Sequence, residues 1–354
     1  MMEKQNKTLP HRLCYVSRNY YNMTSAGNKA KTDYEEILVR HGALSIGLPR
    51  KVSSNKAGAF FYNLASVALS GFRMKRGDIL VIQYPLKKYF TLLCKIAHAR
   101  HARVLVLIHD LGSFRRKKLT VKQELQRLSH ADYVIATNEA MAEWLRQQGL
   151  KVPVGSLGLH DYLSSSSAKS HVLELQGTEW NIVYAGSLNF RKNSFIYELP
   201  SVAQSVSFHL YGNSTDLGSL QDTPHIIWHG YMSSEDFIQG VCGDFGLVWD
   251  GNSLDCCDGD FGAYLRYNTP HKASFYLKSG LPLIVWSQSA IAPIVRNLQI
   301  GVVVQSLKEL EMTLSRITPI AYAEMQKNVC DVSRRIGNGD FLMTAIRKAL
   351  DVME

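Results

Sequence analysis

The densest group of residues able to do chemistry lies at 245–286, which read FGLVWDGNSLDCCDGDFGAYLRYNTPHKASFYLKSGLPLIVW. An apolar strand ends at Asp250, and Pro270-His271-Lys272 opens a helix that stops near Gly280. A cation in the first turn opposes the helix dipole, so Lys272 is best explained if an anion binds there. The alternative is an exposed first turn with no ligand.

A second pair of cations, Arg191 and Lys192, follows a glycine turn after an apolar strand, in the segment GSLNFRK that begins at Gly186. Either side chain could reach a diphosphate through charge-assisted hydrogen bonds. Solvation at the surface is the alternative. Asp250, which ends the apolar strand FGLVW, joins these cations as a candidate ligand-binding residue.

The N-terminal half offers two candidate positions at strand ends. Ser25 and Gly27 precede the first predicted helix, where a glycine lets backbone N–H groups approach an anion; a plain turn explains them as well. His109-Asp110 follows the all-apolar strand RVLVLI, so Asp110 is placed to act as a general base, with His109 as second choice. The alternative is that Asp110 caps the following loop.

Two other cofactor classes are disfavoured by the sequence. It has no GxGxxG segment, which argues against a dinucleotide. Asp258-Gly-Asp260 matches the spelling of a D-x-D metal motif, but it lies in a loop of the second half, and we interpret it as solvated. The six cysteines are scattered without CxxC spacing, so we expect free thiols and no bound metal.

Strand and helix signals alternate in both halves, which predicts parallel sheets covered on both faces. The segment 161–178 holds four consecutive serines and is the best linker candidate. We predict an α/β fold with domains at 1–165 and 175–335 and a C-terminal helix at 336–354. The predicted strands are 12–17, 78–84, 103–108, 133–137, 181–186, 207–211, 225–228, 245–249, 282–286 and 301–304.

Charge is distributed unevenly. Through His160 the chain holds 26 Lys and Arg against 10 Asp and Glu, whereas the remainder holds 14 against 20. The basic half suits an anionic membrane or a lipid-diphosphate-linked acceptor, and a solvated basic face is the alternative. No nucleic-acid-binding motif is present. The basic clusters are Arg73-Lys75-Arg76, Lys87-Lys88 and Arg115-Arg116-Lys117-Lys118.

The chain has no apolar run of ~18 residues and no apolar core of a signal peptide, so we expect a cytoplasmic protein, with peripheral contact at the inner face of the membrane left open. Its oligomeric state is also open, and a homo-oligomer is compatible with the sequence.

Four segments carry a family resemblance over about Leu13 to Phe341. They resemble bacterial β-1,6-galactofuranosyltransferases of O-antigen assembly and, more distantly, the third glucosyltransferase of streptococcal adhesin glycosylation. The segments are VSRNYYNMTSAGNKAKTDYEEIL, LIHDLGSF, IVYAGSLNFRKNSFIY and DFGLVWDGNSLDCCDGDFGAYLRYNTPHKASFYL.

The resemblance implies a GT-B fold, in which two Rossmann-like domains face a cleft and the last helix often crosses back to the first domain. It also implies a nucleotide-sugar donor bound by the second domain without metal. By position, Lys192 would contact the diphosphate, and Tyr211 and Asn213 would lie near the uridine. His271, Lys272 and Ser274 would line the phosphates and ribose, while Ser25 and Gly27 would approach from the first domain.

One departure from the wider GT-B pattern affects the donor site. The pair of glutamates usual in the donor-binding helix is absent, which leaves ribose recognition unassigned.

We therefore expect an inverting transferase that moves a hexosyl unit, galactofuranose from its UDP derivative, onto a glycan in cell-surface polysaccharide synthesis. Three alternatives remain: a glucosyltransferase of glycoprotein glycans, a non-catalytic UDP-sugar-binding subunit and a nucleotide-sugar epimerase.

Overall fold

The computed structural model describes residues 11–20, 26–86, 88–114, 118–168, 179–214, 217–220 and 223–354. The chain divides into two compact units. The first comprises Met1–Thr137, Ala142–Leu157 and Leu342–Glu354, and the second comprises Asn138–Met141 and Gly158–Phe341. The last helix therefore belongs mostly to the first unit.

The strands are short and apolar, with most residues buried on both faces. In chain order they are β1 (Leu13–Tyr15), β2 (Asn19–Tyr20), β3 (Leu44–Ser45), β4 (Lys51–Val52), β5 (Ile79–Tyr84), β6 (Arg103–Ile108), β7 (Tyr133–Ala136), β8 (Val154–Ser156), β9 (Trp180–Ala185), β10 (Val206–Tyr211), β11 (Ile226–Gly230), β12 (Phe245–Val248), β13 (Leu283–Trp286) and β14 (Gly301–Val304).

Helices connect most of these strands. They are α1 (Ala26–Arg40), α2 (Lys56–Arg73), α3 (Phe90–Ala99), α4 (Val121–Leu128), α5 (Glu139–Gln147), α6 (Ser234–Gly240), α7 (Gly259–Gly262), α8 (His271–Lys278), α9 (Ala292–Leu298), α10 (Leu310–Leu314), α11 (Pro319–Asn338) and α12 (Asp340–Met353). Short 3₁₀ segments cover Ser194–Val202, Leu217–Leu220, Ala263–Arg266 and Leu307–Glu309.

Each unit is built on a six-stranded sheet with parallel pairing throughout. The first has the order β3-β1-β5-β6-β7-β8, and a two-stranded parallel ribbon, β2-β4, lies beside it. The second has the order β11-β10-β9-β12-β13-β14. Counted within its unit, that order is 3-2-1-4-5-6, the doubly wound arrangement in which the winding reverses between β9 and β12.

Helix α8 packs closely on the second sheet because β12 carries a glycine beneath it. A Cβ at Gly246 would lie 2.4 Å from the Tyr276 ring, a distance that real side chains do not adopt. The Tyr276 hydroxyl accepts a hydrogen bond from the Ala185 N–H at 2.7 Å, so the helix is also fixed to the end of β9. This contact sets where the first turn of α8 lies relative to the strand ends.

The predicted fold class is confirmed: both units are α/β with parallel sheets, as in GT-B proteins. Each predicted strand is present with ends shifted by a residue or two, whereas the final helix begins at Asp340 and not at 336, because residues 336–338 still belong to α11. The sequence analysis did not identify the longer helices α2, α3 and α11 or the short helices α6, α7 and α10. All six cysteines are free.

The proposed linker is only partly described, since residues 169–178 lie outside the described ranges. Its first serines are held by the second unit: Ser164 Oγ and the Ser166 N–H both donate to Glu235 Oε2, at 2.7 and 2.9 Å. In the part of the chain that the structure describes, no helix combines the length and apolarity needed to cross a membrane.

Candidate functional site

The candidate site of the second unit lies where its sheet changes winding direction. In open parallel sheets, ligands bind beyond the carboxyl ends of the strands at this point. The loops that begin at Gly186 and Trp249 leave adjacent strands there, and the first turn of α8 reaches the same place. The sheet therefore brings together three segments that are far apart in sequence.

Lys272 is bound to the loop after β12. Its ammonium donates to Asp250 Oδ1 at 3.0 Å and to the Trp249 carbonyl at 3.1 Å. It also lies 4.6 Å from the centre of the Tyr184 ring, with Nζ 3.4 Å from the hydroxyl. The side chain is 16% exposed, so this cation is held in place and largely withdrawn from water.

Lys192 approaches the same carboxylate from the loop after β9. Its Nζ lies 3.8 Å from Asp250 Oδ1 and 5.1 Å from the centre of the Phe261 ring. Two ammonium groups thus share one carboxylate, which leaves an excess of positive charge at the strand ends. Such a group attracts an anion, and the backbone N–H groups of the α8 first turn would add to that attraction.

Tyr184 lies on β9 beneath this charged group. Its hydroxyl is 3.3 Å from Asp250 Oδ1 and donates to it. Burial raises the pKa of Tyr184 well above its ordinary value, and the charge of Asp250 raises it further. The residue therefore stays a neutral phenol and helps to fix the carboxylate that both lysines contact.

Asn193 joins the two loops of the site. Fully buried, it donates from Nδ2 to the Ser187 carbonyl at 2.8 Å and accepts at Oδ1 from the Gly251 N–H at 3.3 Å. Sequence reasoning missed both Asn193 and Tyr184. A tyrosine within the strand NIVYAG is a weak signal, because a buried hydroxyl needs a partner; no local signal marks Asn193.

The remaining predicted residues near β9 and β10 differ in exposure. Tyr211 is buried and stacks on His229, with ring centres 4.5 Å apart. Asn213 is exposed two residues later. The Arg191 side chain is also exposed, and its backbone N–H donates to Asn189 Oδ1 at 2.9 Å. Of the cation pair at 191–192, the structure brings only Lys192 to Asp250.

His271 opens α8 within an aromatic group. Its ring centre lies 5.0 Å from that of Tyr162 and 5.6 Å from that of His160. His160 is buried, and this lowers its pKa to about 4. One turn further along α8, Ser274 is fully buried, and its Oγ has no hydrogen-bond partner among the described residues.

The candidate bases of the first unit follow β6. His109 Nε2 lies 2.7 Å from Gln83 Oε1, and its ring packs against Tyr34 at 4.9 Å. Asp110 is partly buried at the strand end. The two residues are thus held at the carboxyl edge of the first sheet, and the roles assigned to them stay predictions.

A buried glutamate fixes the loop after Asp110. Glu124, on α4, accepts hydrogen bonds from the N–H groups of Gly112 and Ser113 at 2.7 and 2.8 Å. The Tyr84 hydroxyl donates to the same carboxylate at 2.8 Å. The sequence analysis missed Glu124; its place four residues before buried Leu128, on the inner face of a helix, is the signal that could have found it.

At the N-terminus of α1, only part of the predicted anion site can be assessed. Ser25 lies outside the described residues, and Gly27 lies in the first turn. Among the described residues, no atom comes within 4 Å of a Cβ built at Gly27. Sterics within this structure therefore do not require a glycine there, and its approach to a donor stays a prediction.

The sequence analysis assigned no residue as a metal ligand. In the described ranges, no three His, Cys, Asp or Glu side chains converge as a metal site requires. Asp258 of the D-x-D spelling accepts a hydrogen bond from the Asn252 N–H.

Comparison with known proteins places the two halves in one family. Residues 13–159 match the description "Glucosyltransferase 3-like, N-terminal domain", and residues 182–349 match "Glucosyltransferase 3-like, C-terminal domain". Beta-1,6-galactofuranosyltransferase WbbI of Escherichia coli (strain K12) is 28% identical over 341 residues, 94% of this chain and 96% of that protein.

One further relative and one solved structure extend the comparison. Glucosyltransferase 3 of Streptococcus gordonii is 21% identical over 83% of this chain and 88% of its own length. The crystal structure of Anabaena Alr3699/HepE in complex with UDP and glucose superposes with a TM-score of 0.57 at 12% identity, covering 97% of this chain and all of that one. This likeness concerns the fold.

Burial of His160 predicts a measurable dependence of stability on pH. Between pH 6.5 and about 4, the unfolded chain binds a proton that the folded chain excludes. The free energy of unfolding should therefore fall as pH falls through this window, by about 3 kcal/mol from this residue. Urea unfolding at pH 7 and 4.5 measures it, and His160→Gln should show a clearly smaller difference. An equal difference in the variant would contradict the assignment.

Proposed function

This chain belongs to the glucosyltransferase 3-like family and is a glycosyltransferase of the GT-B fold; we propose that it transfers galactofuranose from UDP-galactofuranose to a glycan acceptor with inversion. Support for this donor comes from the E. coli galactofuranosyltransferase that resembles it over almost its whole length. The acceptor belongs to cell-surface polysaccharide synthesis, and a lipid-diphosphate-linked glycan fits that role.

The observation that carries the proposal is the convergence of Lys192 and Lys272 on Asp250. The pair supplies positive charge where the second sheet binds ligands, next to a helix N-terminus. A diphosphate matches that charge, and the HepE complex with UDP and glucose is a precedent for this ligand class on this fold. We therefore propose that the UDP moiety of the donor binds here, without a metal ion.

In the proposed reaction, the acceptor hydroxyl oxygen attacks the anomeric carbon of the donor. The bond from that carbon to the phosphate oxygen breaks on the opposite face, and UDP departs with the bonding electrons. Asp110 takes the hydroxyl proton as general base. Lys192 and Lys272 stabilise the negative charge that develops on UDP, the role that a metal ion has in other transferases.

One alternative donor has specific support. The matching family is described as glucosyltransferase 3-like, and the S. gordonii relative is named a glucosyltransferase. UDP-glucose as donor, with a glycoprotein glycan as acceptor, is therefore the second candidate. A non-catalytic UDP-sugar-binding subunit would bind the donor without turnover. An epimerase would interconvert UDP-sugars with no acceptor present.

A donor panel tests the proposal. We expect the protein to release UDP from UDP-galactofuranose only when a glycan acceptor is present, and NMR of the product should show a β-linkage. UDP-glucose, UDP-galactose and UDP-N-acetylglucosamine serve as comparison donors. Preferred turnover of UDP-glucose would favour the second candidate. A product with retained anomeric configuration would contradict the displacement proposed here.

Replacing Lys272 with alanine should weaken UDP binding by about 1.5–3 kcal/mol, since one charge-assisted contact to the diphosphate is lost. Isothermal titration calorimetry measures the change. Lys308→Ala is the matched control, because Lys308 pairs with Asp255 on the exposed surface of the same unit.

Asp250→Asn removes a negative charge from the site where Lys272→Ala removes a positive one. Comparing UDP affinity in the two variants therefore distinguishes an effect of charge from an effect of misfolding. The amide keeps the shape but no longer competes for the two ammonium groups, so UDP affinity should hold or increase. Unchanged UDP affinity in Lys272→Ala, with both variants folded by circular dichroism, would exclude this site as the diphosphate site.

Asp110→Asn should lower turnover by about 100-fold or more, the usual contribution of a positioned base, and leave UDP affinity nearly intact. Initial rates of UDP release with acceptor present, and calorimetry with UDP, measure the two effects. His109→Gln is the comparison variant. If Asp110→Asn keeps full activity, the base is another residue.

A further inference from the structure

Helix α2 has its polar and apolar faces reversed relative to a normal surface helix. Its inward side carries Ser66 and Ser70, both buried. The Ser66 hydroxyl accepts from the Leu48 N–H at 2.9 Å, and Ser70 bonds back to the Val67 carbonyl at 2.6 Å. The buried positions of this helix are thus two serines and one valine, Val67, and its large apolar residues are not among them.

The outward face of α2 is apolar along its whole length. Its members are spaced as one helix face requires, at intervals of three and four residues. Phe61 and Phe72 are 68% and 84% exposed, far more than large aromatic side chains usually are. The face consists of Ala57, Phe61, Leu64, Ala65, Ala68 and Phe72, all exposed, with Phe60 at its edge.

Cations frame this face and acids are almost absent. Residues 37–109 contain twelve Lys and Arg but a single acid, Asp78, which is buried and bonded to Arg12. Lys56 and Arg73 stand at the two ends of the helix, and Lys88 lies 4.9 Å from the centre of the Phe60 ring. All three are exposed, so their charges are available to a partner.

We propose that the outward face of α2 docks on an anionic lipid bilayer surface, with its aromatic side chains below the headgroups and the framing lysines and arginines among them. An apolar helix face with a cationic border is the arrangement that lies in a membrane interface, where each cation adds to the attraction. Long basic side chains keep their charges in the headgroup layer while their stems cover apolar surface.

A second copy of the chain fits this face less well. Pairing two α2 faces would bring their cationic borders together, and like charges at close range oppose association. The charge of this region therefore favours an anionic surface over self-association. The inference does not depend on which sugar the enzyme transfers.

Sedimentation with vesicles tests the proposal in the full-length protein. We expect binding to vesicles of phosphatidylethanolamine and phosphatidylglycerol, little binding to phosphatidylcholine alone, and weaker binding as salt increases. The double variant Phe61→Ser/Phe72→Ser should lower partitioning about tenfold or more, because two aromatic side chains no longer leave water. Circular dichroism and thermal unfolding verify that the variant folds.

Ile320→Ser is the matched control. Ile320 is 81% exposed on α11, outside the basic region, so its replacement should leave binding unchanged. A second measurement places a tryptophan at each position: brominated lipid should quench additional fluorescence in Phe61→Trp but not in Ile320→Trp.

Three results would overturn the proposal. The wild-type protein could fail to bind anionic vesicles at low salt, or the double variant could bind as well as the wild type. Alternatively, light scattering could show concentration-dependent association that the double variant abolishes, which would assign the face to a second copy of the chain.

Discussion

A single carboxylate, Asp250, organises the candidate donor site. It accepts from Lys272 and from Tyr184, and Lys192 lies within ion-pairing range of the same oxygen. A carboxylate withdrawn from water costs several kcal/mol unless it is paired, and an isolated lysine costs a similar amount. Each partner therefore makes the burial of the others tolerable, and the two loops and the first turn of α8 that carry the charged residues are fixed relative to the sheet.

The topology explains why these residues meet although they are up to 88 positions apart. Winding outward in both directions from the centre leaves β9 and β12 adjacent, with the next strands of the two halves on opposite sides of this pair. The glycine at 246 lets α8 settle on β12, which delivers Lys272 at the first turn of the helix. A cation would otherwise be disfavoured at that position, and the carboxylate below offsets the unfavourable dipole.

Sequence patterns predict the parts of this molecule that depend on local rules. Continuous apolar strands separated by helices predicted two parallel-sheet halves, and the unusual cation at the start of α8 pointed to Lys272. Which side chains contact each other in the fold was harder to predict. Nothing in the segment GSLNFRK distinguishes Lys192, which reaches Asp250, from exposed Arg191. Asn193 was missed because it bonds to backbone groups of two loops, whose course a sequence does not specify, whereas Glu124 was missed although its position on the inner face of a helix marks it.

Helix α2 shows that a sequence pattern can mispredict which face of a helix is buried. The two units also use their cations in different ways. An apolar stripe predicts the buried side of a helix, yet here the buried positions are Ser66, Val67 and Ser70, and the stripe faces outward. In the second unit, the lysines of the candidate site are matched to a carboxylate within the chain. Across residues 37–109 of the first unit, the single acid, Asp78, is bonded to Arg12, while Arg40 and Arg50 pair with Glu36 and Glu35 just before the segment. The exposed Lys56, Arg73 and Lys88 beside the exposed apolar face of α2 are best explained by a partner that supplies both anions and an apolar interior.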